Sequence, residues 1–202
     1  MLKIESIYAD YLNKKQENYK EKHKGYEDWY SASQAGSCFK KLVLKREGKE
    51  GPAMEDRVMR LLRLGTIVHS DIEKAIKNYM DDPDSEYSKL NGTIHTERRV
   101  EIPEFKVLGH LDIAIHNTKF GFAKIIDVKT CGSYPWKMKF GRNKQFNPSI
   151  HYELQLGTYG YAIQEQFGRL DGMYLLYYNK DTSKMKSVEI PLSFVSRAYL
   201  FW

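Results

Sequence analysis

Two aspartates sit inside runs that are otherwise apolar. Asp112 lies in Gly109-His110-Leu111-Asp112-Ile113-Ala114-Ile115, and Asp127 lies in Lys124-Ile125-Ile126-Asp127-Val128-Lys129-Thr130. Both runs read as strands. A carboxylate carried into an apolar setting is destabilising unless it is paired or bound to a cation. On neighbouring strands the two would also repel each other, and a divalent cation between them would remove that repulsion. Each alone also fits a strand-end aspartate in a salt bridge. Any fold of this chain must therefore bring positive charge to both.

The remaining sequence predicts the frame. Residues 3–22 carry Ile4, Ile7, Tyr8, Tyr11 and Leu12 at helical spacing. A second expected helix, capped by Ser31 or Ser33, runs to about Arg46, ahead of Gly48 and the Gly51-Pro52 break. A third is expected from about Met54 to Met80, with Val58, Leu61, Leu62, Gly65, Val68, Ile72 and Ile76 as its apolar positions. Asp81-Asp82-Pro83-Asp84 ends it. The pattern changes at about residue 93. Residues 94–102 and 106–115 read as a hairpin around Pro103 and Glu104, and residues 121–129 read as a third strand. Residues 130–147 read as a long polar and aromatic loop. Pro148 opens a helix to about Phe167. Strands follow at about 171–179 and 185–190, and Pro191-Leu192 begins a last helix. This order predicts an α/β fold with a mixed central sheet flanked by helices. With 202 residues and 42% hydrophobic content, the chain suits a single domain over 1–202, helical at 1–52 and with its core at 53–202.

Asp127 and Lys129 are spaced i, i+2, which in a strand puts both on one face. An ammonium beside a buried carboxylate is within reach of a metal-bound water, although a D-x-K pair by itself is common. Further on, Tyr134, Trp136, Phe140 and Phe146 interleave with Lys137, Lys139, Arg142 and Lys144, and no Asp or Glu occurs from Thr130 to Tyr152. Basic groups track phosphates and aromatic rings stack on unpaired bases. The same aromatics also fit a loop that caps the core. A net charge of +6 and a pI near 9.1 are compatible with nucleic acid. Cys38 and Cys131 are far apart and read as free thiols. No run approaches the roughly 20 apolar residues of a membrane helix, and the polar N-terminus has no apolar signal region, so a cytoplasmic protein is expected.

Together these segments resemble the PD-(D/E)XK nuclease superfamily, over about residues 31–180. Gly65-Thr66-Ile67-Val68-His69 is similar to the helical G-x-x-x-H motif of the branch that holds RecB-type nuclease domains and CRISPR-adaptation nucleases. Gly109-His110-Leu111-Asp112 is similar to its G-x-x-D strand, and Ile126-Asp127-Val128-Lys129-Thr130 to its D-x-K-T strand. Gln155-Leu156-Gly157-Thr158-Tyr159 is similar to its Q-x-x-x-Y helix. The resemblance implies a restriction-endonuclease-like core. It implies a metal held by His69, Asp112, Asp127 and the Val128 carbonyl, with Mg²⁺ or Mn²⁺ as the ion. It gives Lys129 the task of positioning the attacking water and steadying charge on the phosphate. Gln155 and Tyr159, one helical turn apart, would contact the DNA backbone or support Lys129. Glu73, one turn past His69, reads equally as a neighbour of the metal and as a helix-surface glutamate. Cys38 falls where iron–sulfur members place their first cluster cysteine, but none follows the Q-x-x-x-Y helix, so no iron–sulfur cluster is expected. Lys40 and Lys41 are candidate phosphate contacts. Leu111 stands where the name-giving proline would.

The activity this implies is metal-dependent hydrolysis of DNA phosphodiester bonds. An exonuclease, or a nuclease of single-stranded ends, is expected, acting in recombination, repair or replication in a bacterium, phage or mobile element. A hard cation held by two carboxylates suits that chemistry, because it activates water and neutralises the phosphate and leaving oxygens. Three alternatives stand beside it: a non-catalytic nucleic-acid-binding or assembly module of the same fold, a CRISPR-adaptation-type nuclease, and a related enzyme acting on RNA.

Overall fold

The change of period at residue 93 marks the boundary between a helical half and a sheet. The structure, a computed structural model, describes residues 3–22, 24–49, 51–85, 92–142 and 150–202. Helix α1 spans Ile4–Lys22, strand β1 Tyr30–Ser31, helix α2 Phe39–Arg46 and helix α3 Asp56–Asp81. Strands β2 (Gly92–Ile102), β3 (Val107–Asn117) and β4 (Phe122–Cys131) follow. Helices α4 (Ser133–Phe140) and α5 (Ile150–Phe167), strands β5 (Arg169–Asn179) and β6 (Met185–Ile190), and helix α6 (Ser193–Phe201) complete the chain. The strands form one six-stranded mixed sheet, and the α/β class expected from the sequence is observed. Among the described residues no helix is long and apolar enough to cross a membrane.

Two local expectations are corrected. Ser31 caps a three-residue 3-10 turn and not a helix that runs on to Arg46. The Tyr30 N–H donates to the Lys106 carbonyl at 2.7 Å, which recruits the chain to β3 as β1. A 3-10 turn, Ala32–Gln34, follows, and α2 starts at Phe39. The segment 130–147 is not a plain loop, because Ser133–Phe140 is helical. Its stabilising contact is aromatic: Trp136 and Phe140, i and i+4, lie 4.7 Å apart, and Phe140 meets Tyr177 edge-on at 5.3 Å. Pro135 falls in the first turn, where a missing N–H does no harm. Phe146 and Pro148 lie outside the described residues.

Strand β3 organises the sheet. Strand β2 pairs with it antiparallel along its whole length, Gly92↔Asn117 to Ile102↔Val107. Its other edge is divided. Strand β1 takes Val107 and Leu108, while β4 takes Ile113 to Asn117. Between these pairings β3 and β4 part company, and β4 continues alongside β5 in parallel. Strand β6 closes the far edge.

The β2–β3 ribbon also contains a slip of the pleat. On β2, Arg98 donates to Gln166 of α5 at 2.9 and 3.1 Å, and His95 stacks on Phe167 of the same helix. On β3, Gly109 abuts Tyr159 of α5, and His116 stacks on Phe167. Both pairs have odd spacing, which in a regular strand means opposite faces. The facing therefore shifts by one residue on each strand, while the register stays constant on either side. The ladder skips the facing pair Glu97 and Asp112, and Glu97 takes a left-handed φ of +48°.

Helix α5 is buried on all sides from Glu153 to Gly160, sandwiched between the sheet and α6. Gly157 makes that possible, since a Cβ there would lie 2.2 Å from the Phe194 carbonyl oxygen of α6. The Trp202 indole N–H adds a hydrogen bond to Thr158 Oγ1 at 2.9 Å. Gly157→Ala is expected to lower the unfolding free energy by about 1–3 kcal/mol. The urea midpoint should fall with the slope unchanged, and an unmoved midpoint would refute this packing account.

Candidate functional site

The parting of β3 from β4 leaves backbone groups in want of partners, and one side chain supplies them. The Val128 N–H donates to Asp112 Oδ2 at 2.6 Å, so a carboxylate replaces the ladder bond that the diverging strands can no longer make. Asp112 is thereby held at the mouth of the split.

Across the split, Asp127 is 1% exposed. Burial is the largest influence on its carboxyl and raises its pKa, and the neighbouring Lys129 charge opposes that rise. Lys129 Nζ stands 2.6 Å from Asp127 Oδ2, as i, i+2 geometry requires. The ammonium also donates to Gln155 Oε1 at 2.9 Å, and Gln155 Nε2 donates to the Tyr159 hydroxyl at 3.0 Å. Burial, reinforced by the Asp127 charge, pushes the Tyr159 phenol far above its ordinary pKa, so it stays protonated. Helix α5 can sit this close because Gly109 has no side chain: a Cβ there would come within 2.8 Å of Ala32 Cβ and the Tyr159 ring.

Helix α3 closes the site from the other side. Gly65, His69 and Glu73 form an i, i+4, i+8 stripe on one helix face. A Cβ at Gly65 would lie 3.0 Å from Thr130 Oγ1, so the helix rides directly on β4. His69 Nδ1 lies 3.5 Å from Asp112 Oδ2. Burial, the largest single influence, lowers the imidazole pKa, but the Asp112 contact and charge together with the Asp127 charge make the net shift upward. One ligand atom each from His69, Glu73 and Asp112 lies within 4.8 Å of the others, a spacing that could hold a metal ion. Glu73 is 6% exposed, and its Oε1 is buried with no hydrogen-bond partner. A buried, unpartnered carboxylate oxygen beside an imidazole and a second carboxylate fits a divalent cation such as Mg²⁺ or Mn²⁺.

The structure thus gathers His69, Asp112, Asp127, Val128, Lys129, Gln155 and Tyr159 into one place. It adds Glu73, whose i+4 relation to His69 was visible but equally fitted a surface position. It also adds His151, whose imidazole pKa is lowered by burial and by the Lys129 charge. No sequence pattern marks His151.

The basic and aromatic segment is less uniform than its composition. Trp136 and Phe140 pack against the core. Lys139 also turns inward, 3.6 Å from Glu153 Oε1 and over the Tyr177 ring. Tyr134, Lys137 and Arg142 are exposed, as are Lys40 and Lys41 on α2. Lys186 of β6 lies over the Phe140 ring, adding a cation the sequence did not single out. Lys144 lies outside the described residues. Cys38 is exposed and Cys131 half-buried, both as free thiols.

No family model matches the sequence, and no curated protein sequence matches it. Solved structures do. The crystal structure of SSO0001 superposes with a TM-score of 0.55 at 20% identity, covering 96% of this chain and 83% of that one. A protein from Eubacterium rectale described as a "Putative exonuclease" gives 0.54 at 13% identity, covering 88% and 78%. At such identities the likeness establishes the fold, a mixed-sheet α/β architecture shared with a nuclease-like neighbour.

Glu73 carries a testable consequence. Burial, with the Glu97 and Asp112 charges, pushes its carboxyl from 4.5 up to about 7. A raised folded pKa means that the native state holds the proton where the unfolded chain has lost it. The associated stability is full below pH 4.5 and is lost as pH rises through about 7. In EDTA the urea midpoint should fall across that window, and Glu73→Gln should shrink the fall. An equal fall in the variant would exclude Glu73 as its source.

Proposed function

We propose that this chain is a metal-dependent deoxyribonuclease of the PD-(D/E)XK type. One observation carries the reading: the ligand atoms of His69, Glu73 and Asp112 converge beside a buried Asp127–Lys129 ion pair. Each half alone is ordinary. Together they supply what phosphodiester hydrolysis requires, namely a seat for a hard cation and a fixed ammonium beside it.

His69, Asp112 and Asp127 would hold the metal in this reading, with the Val128 carbonyl as a further oxygen ligand and with Glu73, whose ligand atom lies within 4.8 Å of those of His69 and Asp112, beside them. When bound, Mg²⁺ or Mn²⁺ supplies the Lewis acidity that lowers the pKa of a coordinated water and offsets phosphate charge. The protein's own groups do the positioning. Lys129, pinned between Asp127 and Gln155, orients the attacking water and faces the phosphate charge. Gln155 fixes the ammonium, and the protonated Tyr159 fixes Gln155. Exposed Lys40, Lys41, Lys137 and Arg142, with Lys144, are the proposed contacts to the DNA backbone, and Trp136 and Lys139 act from beneath them by shaping α4. Exonuclease action is favoured over internal cutting, in keeping with the description of the Eubacterium rectale neighbour.

The test is cleavage of end-labelled linear and circular DNA, single- and double-stranded, in Mg²⁺, Mn²⁺ or EDTA. Activity is expected with either metal and absent in EDTA. Lys129→Ala and Asp127→Ala should each lose at least ~100-fold in rate, the scale of removing a preorganised electrostatic group. Identical products from wild type and both variants would end the nuclease reading and leave a binding module. Circular DNA left intact while linear DNA shortens is the exonuclease result.

A further inference from the structure

A cleft of about 790 Å³ lies between α1 and the sheet, and the metal centre does not account for it. It runs from the end of α1, past β1, to Gly109 and His110 of β3. Those two residues fall between the β1 and β4 pairings of β3, beside the split that holds Asp112. At its inner end is Tyr159, whose hydroxyl accepts from Gln155, the partner of Lys129. The cleft and the candidate site therefore share a wall.

Aromatic rings dominate its lining: Tyr19, Tyr26, Trp29 and Tyr30. Three of them are held from behind. Tyr26 lies under the Arg99 guanidinium and donates to Glu101, Trp29 meets Tyr26 edge-on at 5.0 Å, and Tyr30 stacks on Trp202 at 5.8 Å. Rings already fixed lose little freedom when a ligand stacks on them. The Trp29 indole N–H donates to no atom among the described residues. Charge is nearly balanced, with Glu17, Glu21 and Glu27 against Lys24 and Lys45. Lys24 is paired with Glu21 at 3.7 Å, and Lys45 is bound to Gln34 at 2.9 Å. Such a cleft does not draw a run of phosphates, whose binding rests on uncompensated cations. It suits nucleobases, because every base has a π face to stack. Its volume is that of a small-molecule site. A B-form duplex, whose major groove alone is about 12 Å wide, does not enter it.

We propose that this cleft binds unpaired bases of the strand being cut, stacked on Trp29 and Tyr19, while the backbone of that strand continues past Tyr159 to the split between β3 and β4. Lys45 of α2 has no carboxylate partner among the described residues and meets the phosphate at the cleft's outer end. The inference rests on the nuclease reading and names its substrate class: DNA that is single-stranded beside the cleavage point, as in an overhanging end. A blunt duplex enters only after its terminal pairs open.

Binding of labelled DNA to the full chain in EDTA, followed by fluorescence anisotropy, tests this apart from cleavage. Three DNAs with equal numbers of phosphates are compared: a single strand, the same strand made abasic, and a blunt hairpin duplex. Wild type is expected to hold the single strand at least ~10-fold tighter than either of the others, the scale of one base–aromatic stack. Trp29→Ala should lose that advantage and leave the abasic strand and the duplex bound as before, whereas Trp29→Phe should retain most of it. Tyr19→Ala, at a ring 59% exposed whose removal spares the fold, should weaken the single strand in the same base-dependent way. The proposal falls if wild type does not favour the single strand over its abasic form. It falls equally if Trp29→Ala and Tyr19→Ala leave binding unchanged, which would give the cleft to another occupant, or weaken all three DNAs alike. Base-dependent binding by a wild type that cuts nothing in Mg²⁺ or Mn²⁺ would end the nuclease reading and keep the cleft as a single-strand site. Cutting without base-dependent binding would do the reverse.

Discussion

The 2.6 Å bond from the Val128 N–H to Asp112 Oδ2 is the contact on which the rest of the site depends. Two strands that stay paired leave no room for a centre between them, and two that part leave backbone groups unsatisfied. Asp112 resolves this by lending its carboxylate to the opposite strand. The opening stays narrow and polar, and α3 can present His69 to it from one side while α5 presents Gln155 and Tyr159 near the other. Had the ladder continued one pair further, Asp112 would sit directly against Asp127 with no space for a cation.

Electrostatics divides the site into two halves of different character. The α5 half is self-contained: carboxylate, ammonium, amide and phenol follow in series, each within 3.0 Å of the next. The α3 half is unfinished, with more carboxylate oxygens than donors. An ion pair followed by two hydrogen bonds holds its members still, whereas a surplus of acceptors recruits a charge from outside. The two halves are therefore complementary, one fixing a position and the other offering a vacancy of charge.

Much of this was legible before any coordinates, for identifiable reasons. Period-2 alternation and short apolar runs announced the sheet, and the same period placed Asp127 and Lys129 on one face. Helical spacing likewise put His69 and Glu73 in line. What stayed hidden depends on tertiary contacts. Glu97 sits in an alternation that looks unbroken, because the slip of facing arises from pairing with β3 and packing on α5. Strand β1 is two residues long and exists only because Lys106 accepts its hydrogen bond. Helix α4 carries no amphipathic stripe and is held by an aromatic pair. The inward turn of Lys139 follows from Glu153 and Tyr177, which composition alone treats as unrelated.

Gly157, finally, places chemistry under the control of a distant surface. Its missing side chain lets α6 press against α5, and α5 carries the amide that holds the Lys129 ammonium. The aim of that ammonium is thus set from behind, by the packing of α6 on α5. A loosening of the α5–α6 seam too small to unfold the protein would still defocus the centre. In a molecule built this way, the placement of the Lys129 ammonium should loosen on warming well before the fold itself gives way.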